Sequence, residues 1–439
     1  MIPRRDGPSS WRTTTCGWQA RRQASGIRPR WQYAGALTCA LAACAAEATD
    51  RPPTDDQPPP VLSGADVVVR DPAALAGGRI GLITNHTGRT SDGRSTVDAL
   101  HAHPAIDLVA LFAPEHGLRG TADPGEEIES GEDVRTGLPV HSLYGETRAP
   151  TAEMLRDVDV LAFDIQDVGS RYYTYVWTMA LAMQAAADHD RRFVVLDRPN
   201  SIGGALVQGN VLDPAFATFV GMYAVPMRHG MTAGELATLL NSAFSIGARL
   251  EVVQIEGWQR DAYYDETGLA WIPPSPNMPS VESATHYPGT CLFEGTNLSV
   301  GRGTPMAFQQ IGAPWLDAAA VARRLEAERP AGVRIEVVTF TPDQPGDGKY
   351  GGESIAGLRY HVTERERYDP TRTAVATLAA IREIHPDSLR FLEGHFDRLA
   401  GTDRLRLGLL ADESAALLTA DWDEQIARFE EVRSRHLLY

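Results

Sequence analysis

The chain has 439 residues, 43% hydrophobic and 22% charged, proportions ordinary for a globular protein and a length sufficient for two or three structural units. Its formal charge is −16, and its first 44 residues hold seven arginines against one aspartate, so removing that +6 leaves about −22 on the remainder, which excludes a phosphate-seeking nucleic-acid binder. Three of the four cysteines, Cys16, Cys39 and Cys44, lie in that first stretch; the single Cys291 beyond it rules out a disulfide framework or a thiolate metal site in the body.

Residues 1–44 read as an export leader: a basic segment, then an apolar run from Tyr33 to Ala43 that is too short to span a membrane. Leu41-Ala42-Ala43-Cys44 resembles a bacterial lipoprotein processing box, in which Cys44 becomes the lipidated first residue. The alternative is an ordinary cleaved signal with an incidental cysteine. Residues 45–60, AAEATDRPPTDDQPPP, form a polar, proline-rich tether. The expected location is the cell envelope, on its periplasmic or outer-surface face, with only a lipid anchor touching the membrane; simple secretion is the alternative.

The body from residue 61 alternates strands and helices. Arg79 to Asn85 is a continuous apolar run of the kind buried on both faces of a parallel sheet. Ser95 to His103 reads as a helix and Ile106 to Phe112 as the next strand, completing a βαβ unit. The glycine-rich, acidic stretch 113–150 has no periodicity, and loops of that length are functional or mobile. A short helix over Thr151 to Asp157, a strand over Val158 to Phe163, a long helix over Tyr172 to Asp188 and a strand over Phe193 to Leu196 follow. Met231 to Phe244 reads as a helix with Thr232 and Glu235 spaced as a capping box, and Leu250 to Ile255 as a fifth strand.

Trp271 to Tyr287 is too rich in proline to hold regular structure for long, which places a domain junction near it. A helix from Asp317 to Glu328, a strand from Val333 to Val338 and a mixed tail complete the chain. The fold class is therefore α/β: a Rossmann-like, doubly wound parallel sheet over 61–285, then a smaller α/β domain over 286–439 that completes the cleft. Neither a dinucleotide fingerprint nor a Walker loop follows the first strand, and no cofactor is expected.

Polar residues stand where the strands end, at the positions that form the ligand crevice of an open parallel sheet. They are Asn85 and His86; Glu115 and His116; Asp164, Gln166, Asp167 and Arg171; and Asp197, Arg198 and Asn200. His86, His116, His229 and Asp164 could compose a metal set, but no His-x-x-x-His or His-Glu-x-x-His spacing supports it, and no metal is expected. Asn297 to Gly301 lacks the first glycine of a serine-hydrolase nucleophile elbow.

The ordered blocks LITNHTGR, LFAPEHGLRG, SLYGE, FDIQDVGSRYYTY, VLDRPN, RHGMTAGELA, PPSPNMPS, FEGTNLSVGRGT and GAPW resemble those of the bacterial exo-β-N-acetylmuramidases, over about Val67 to Tyr439. The resemblance implies a hydrolase that removes β-linked N-acetylmuramic acid from the non-reducing end of peptidoglycan fragments. It makes the glutamate of APEHG, Glu115, the leading catalytic residue. Two positions depart from the family pattern: Gln309 stands where a glutamate is common, and Ser201 where a proline follows DRPN.

Glycoside hydrolysis uses one carboxylic acid to protonate the leaving oxygen and a second carboxylate as nucleophile or base. Glu115 suits the acid, with His116 beside it; its structural alternative is a turn cap or a pair with Arg119. For the second carboxylate Asp164 ranks before Asp167 and Glu294. The lactyl carboxylate of muramic acid calls for a guanidinium fork, which Arg171, Arg198 or Arg302 supplies. Asn85, His86, Gln166, Tyr172, His229 and Asn297 complete the expected saccharide-binding set. The remaining alternatives are a non-catalytic muropeptide-binding lipoprotein and a metal-dependent hydrolase.

Overall fold

The computed structural model describes residues 60–120, 122 and 125–439. The expected leader, its processing box at Cys44 and residues 45–59 of the tether lie outside the described residues. Everything described belongs to one compact unit, Gln57–Tyr439.

In chain order the first half contains α1 (Gly64–Arg70), β1 (Arg79–Thr84), α2 (Thr96–His101), β2 (Asp107–Ala113), β3 (Gly131–Glu132), β4 (Pro139–Ser142), β5 (Val160–Asp164), α3 (Tyr175–Asp188), β6 (Arg192–Leu196), β7 (Gln208–Val211), β8 (Pro226–Arg228), α4 (Ala233–Ala243) and β9 (Arg249–Val253). Seven of these strands form one sheet in the order β3-β4-β2-β1-β5-β6-β9. All its pairings are parallel except the short edge pair β3–β4.

Successive side chains of a strand face opposite sides, so the apolar runs feed two cores. Ile83, Phe163 and Val195 pack under α3 and α4, whereas Leu82, Ala162 and Val194 pack under α1 and α2. Because β1 lies between β2 and β5, the chain winds outward in both directions from it. That reversal opens a crevice beyond the carboxyl ends of β1, β2 and β5. The Thr232–Glu235 capping box forms as expected at the start of α4.

The second half contains α5 (Val281–Thr290), β10 (Gln310–Ala313), α6 (Ala318–Glu328), β11 (Val333–Phe340), β12 (Ile355–Val362), α7 (Pro370–Ile384), α8 (Glu393–Ala400), α9 (Arg404–Leu410), α10 (Ala415–Leu418) and α11 (Trp422–Arg433). Its sheet is antiparallel, in the order β10-β12-β11.

Three segments differ from the sequence expectation. Residues 151–157 form a single turn, closed by the Leu155 amide on the Thr151 carbonyl, with the Thr151 hydroxyl accepting the Met154 amide at 3.3 Å. Residues 172–174 are a turn rather than the start of α3. Inside the proline-rich stretch, α5 forms after all: the Ser280 hydroxyl accepts the Ser283 amide at 3.1 Å, and Pro288 falls in the last turn, two residues before the helix ends. The expected boundary at residues 285 and 286 falls within this helix, and a single apolar core runs across it, from Trp177 of α3 to Leu358 of β12.

Candidate active site

The chain leaves β2 through Pro114 and turns at once, because His116 and Gly117 both take left-handed backbone, φ 68° and 72°. Such a conformation is uncommon for a residue with a Cβ. The turn holds Glu115 at the mouth of the crevice. Its Oε1 accepts the Gly125 amide at 3.0 Å and its Oε2 accepts the Thr174 hydroxyl at 2.6 Å. Tyr144 presents its phenol to the same carboxylate; burial first, and the nearby Glu115 charge second, push that phenol up to about 12. Arg119 pairs with Asp133 instead of Glu115.

Glu115 and His116 line a cavity of about 140 Å³ whose other wall comes from the second half of the chain, including Glu294, Arg302, Phe308 and His395. Tyr172, Tyr173 and Ser275 also line it. Arg302 donates from Nε and Nη2 to Glu294 Oε1 at 2.8 and 2.5 Å and lies over the Phe308 ring. Of the two carboxylates on the wall, Glu294 is ion-paired and Glu115 is held by neutral donors. Larger hollows exist elsewhere, one of about 730 Å³ around Arg382 and Asp412 and one of about 600 Å³ around Phe244 and Phe429, but neither lies at the strand ends. The smaller cavity does, and size alone does not identify a site.

Several expected site residues serve the framework instead. Asp164 is fully buried, and its two oxygens accept from Arg198 Nε at 2.5 Å and Nη2 at 2.9 Å. Neither residue lines the cavity. Arg171 is also fully buried; Nη1 donates to the Asn210 and Val225 carbonyls and Nη2 to those of Leu399 and Ala400. It stitches the halves together and has no fork to offer a substrate. Gln166 spends its amide nitrogen on Asp167, Pro199 and Ser201. Asn297 brackets the backbone of Ser388 and Arg390. Tyr172 donates to the Pro288 carbonyl at 2.9 Å. Among the three arginines proposed for the lactyl group, Arg302 alone lines the cavity.

The histidines do not converge on one point. His116 meets the Ala122 carbonyl through Nδ1 at 2.8 Å, and His86 the Pro273 carbonyl through Nε2 at 2.8 Å. His86 also fills the space over Gly120, where a Cβ would stand 2.0 Å from its Nδ1. Burial lowers the His86 pKa. Among the described residues no three His, Cys, Asp or Glu side chains are grouped to hold a metal.

Asn85, Asp167 and His229 form a different group. Each is buried and keeps one side-chain atom without a partner among the described residues: Asn85 Nδ2, Asp167 Oδ1 and His229 Nε2. Burial pushes Asp167 up to about 7 and His229 down to about 3.

Sequence reasoning did not single out Tyr144, Thr174, Ser275 or His395. Tyr144 and Thr174 stand inside blocks already recognised, SLYGE and FDIQDVGSRYYTY, so proximity to a strand end could have flagged them. His395 comes from a tail with no local signal.

Residues 80–282 match the family model described as exo-beta-N-acetylmuramidase NamZ, N-terminal, and residues 285–439 match its C-terminal counterpart. The chain is 44% identical over 383 residues to the peptidoglycan beta-N-acetylmuramidase NamZ of Bacillus subtilis (strain 168), covering 87% of this chain and 92% of that one. A crystal structure of a DUF1343 family protein from Bacteroides fragilis NCTC 9343 aligns with a TM-score of 0.81 at 34% identity, over 86% of this chain and 99% of that one. A second DUF1343 structure from the same organism aligns with a TM-score of 0.68 at 30% identity, over the same shares.

Proposed function

The chain belongs to the exo-β-N-acetylmuramidase family, whose two models together span most of it, and from that premise we propose that it is a glycoside hydrolase releasing β-linked N-acetylmuramic acid from the non-reducing end of peptidoglycan fragments. The observation that carries the reading is Glu115: a strand-end carboxyl on the cavity wall, held by the Thr174 hydroxyl and the Gly125 amide rather than by a cation. Glu115 is the group that protonates the leaving glycosidic oxygen as its bond to C1 breaks. Glu294, the other carboxylate on the wall, faces the positive charge that develops at C1. Arg302 uses Nε and Nη2 on Glu294, has no bond from Nη1 among the described residues, and lines the cavity where it can take the lactyl carboxylate.

The test is release of free N-acetylmuramic acid from a β-linked muramyl disaccharide by residues 61–439, because a sugar alkoxide leaves only when protonated whereas a chromogenic phenolate needs no acid. Glu115→Gln is expected to lower kcat on the order of 10²- to 10⁴-fold, the usual share of general acid catalysis. Near wild-type turnover in that variant would sink the assignment, and tight muropeptide binding without any turnover by the wild type would point to a non-catalytic binder.

We propose also that the chain is exported and anchored to the cell envelope by lipid on Cys44, in support of cell-wall turnover. The basic leader, the Leu-Ala-Ala-Cys box and the polar tether support this. No described helix is long and apolar enough to cross a membrane. Cys44→Ala is expected to move the protein from the membrane fraction to the soluble fraction; unchanged membrane association would count against the anchor.

A further inference from the structure

The helix α8 brings to the cavity wall a side chain whose protonation is fixed by its neighbours. His395 lines the cavity together with Glu294 and Arg302. Its Nδ1 meets Nη2 of Arg398, three residues further along the helix. A guanidinium has donors only, so Nδ1 accepts and the ring hydrogen resides on Nε2. Burial first, and the Arg398 charge second, hold the His395 pKa below its ordinary 6.5; Lys349 and Arg302 act in the same direction and Glu294 against it. The ring is therefore neutral near neutral pH, with a single N–H to offer.

The two nitrogens of an imidazole point away from each other, and Arg398 does not line the cavity, so Nε2–H is turned from Arg398 towards the hollow. That nitrogen has no bond among the described residues and does not belong to the polar atoms sealed from solvent. It is an open donor that needs an acceptor. The charges around it select the kind: three cations, Arg302, Lys349 and Arg398, stand against two anions, Glu294 and Asp347, in a chain whose formal charge is −16. Lys349 is spent on the Glu294 and Leu298 carbonyls at 3.1 and 3.0 Å and holds the wall rather than a ligand. Arg302 has its Nη1 edge left once Nε and Nη2 have met Glu294. A guanidinium edge beside a neutral N–H suits an anion that only accepts, which is a carboxylate.

We propose that His395 is a specificity residue whose Nε2–H binds the lactyl carboxylate of the terminal muramic acid beside Arg302, and that Arg398 is the positioning residue that keeps that hydrogen on Nε2. Arg302 supplies the charge, and His395 supplies a second donor of fixed direction. The inference rests on the muramidase reading above.

The experiment measures equilibrium binding of two sugars that differ only in the lactyl group, N-acetylmuramic acid and N-acetylglucosamine, to wild type, His395→Ala, His395→Gln and Arg398→Met. Hydrolysis of the muramyl disaccharide by wild type tests the muramidase reading separately. The wild type is expected to prefer N-acetylmuramic acid by at least about 100-fold in Kd, the effect of two hydrogen bonds to a charged group. His395→Ala is expected to lower that preference by on the order of tenfold, the share of one such bond, and to leave N-acetylglucosamine binding unchanged. His395→Gln, which keeps an N–H donor on the same side chain length, is expected to recover most of the preference, and Arg398→Met to lower it less than the alanine variant does. Equal affinity of the wild type for the two sugars would overturn the proposal, whether or not the variants fold. So would a His395→Ala variant that weakens both sugars by the same factor, the behaviour of a residue that merely holds α8 in place.

Discussion

Burial moves two neighbouring groups in opposite directions: Asp167 up to about 7 from an ordinary 3.8, and His229 down to about 3 from an ordinary 6.5. By linkage, the Asp167 contribution to stability is fully present below pH 3.8 and is lost as pH rises towards 7. The His229 contribution is present above pH 6.5 and is lost as pH falls towards 3. Between about pH 4 and 6.5 the two oppose each other. Asp167→Asn removes one side of that opposition, so the melting temperature of the variant is expected to rise more steeply over this range than that of the wild type. Parallel curves would show that Asp167 is not the buried, protonated group described here. The same pair shows what a sequence conceals at this scale. Strand-end position made Glu115 legible, since the residue after an apolar run faces the crevice whatever lies around it. It also promoted Asp164, because nothing local reveals that Arg198, 34 residues later, takes both of its oxygens.

Arg171 extends the lesson to whole elements. Leu399 and Ala400, two of its four carbonyl partners, are in the last turn of α8, whose carbonyls have no partner within the helix. A buried cation there also opposes the negative end of the helix dipole. The helix ends at Gly401, with φ 69°, where a Cβ would stand 2.9 Å from Arg171 Nη2. Since α8 carries His395 and Leu399 into the cavity wall, the arginine holds that wall from behind through the Leu399 carbonyl without lining the cavity itself. Arg171→Met takes the donor from the Asn210 and Leu399 carbonyls, whereas Val225 keeps the Leu212 amide and Ala400 keeps the Asn210 side chain; each carbonyl left unpaired costs about 1–3 kcal/mol. A loss of at least ~2 kcal/mol in denaturant unfolding, with reduced turnover in the fraction that remains folded, is expected. A loss under ~1 kcal/mol would mean that α8 holds its place without the cap. The parallel strands β1, β2, β5 and β6 could be read because burial makes them continuous apolar runs, whereas β4, half-exposed and four residues long, was lost in the stretch read as a loop. α8 could not be read as part of the site, because its role depends on an arginine 228 and 229 residues away from the carbonyls it caps. Short strands such as β3 and β7, two and four residues long, are too brief to show a period.

For the molecule as a whole, the two family models meet near residue 284, inside α5, where the structure has no seam. Asn210 reaches the Ala400 carbonyl at 2.9 Å, Gln208 the Tyr368 carbonyl at 2.9 Å, and the Tyr439 phenol donates to Asp197 at 2.8 Å. Asp197 in turn accepts the Thr232 hydroxyl at 2.6 Å and the Gly234 amide at 2.8 Å, which fixes the start of α4. Tyr439 thus helps to pin a helix of the first half. The cavity is shared in the same way, with Glu115 from one half and Glu294 and Arg302 from the other. Elements that share one core and one polar network unfold together. Residues 61–439 are therefore expected to melt in a single calorimetric transition, with van't Hoff and calorimetric enthalpies in agreement, and residues 61–285 alone are expected to fail to fold cooperatively. Two resolved transitions would show that the halves are separable bodies. The carboxyl wall and the guanidinium wall of the cavity would then be free to move apart, and a site that depends on both would need the substrate to bring them together.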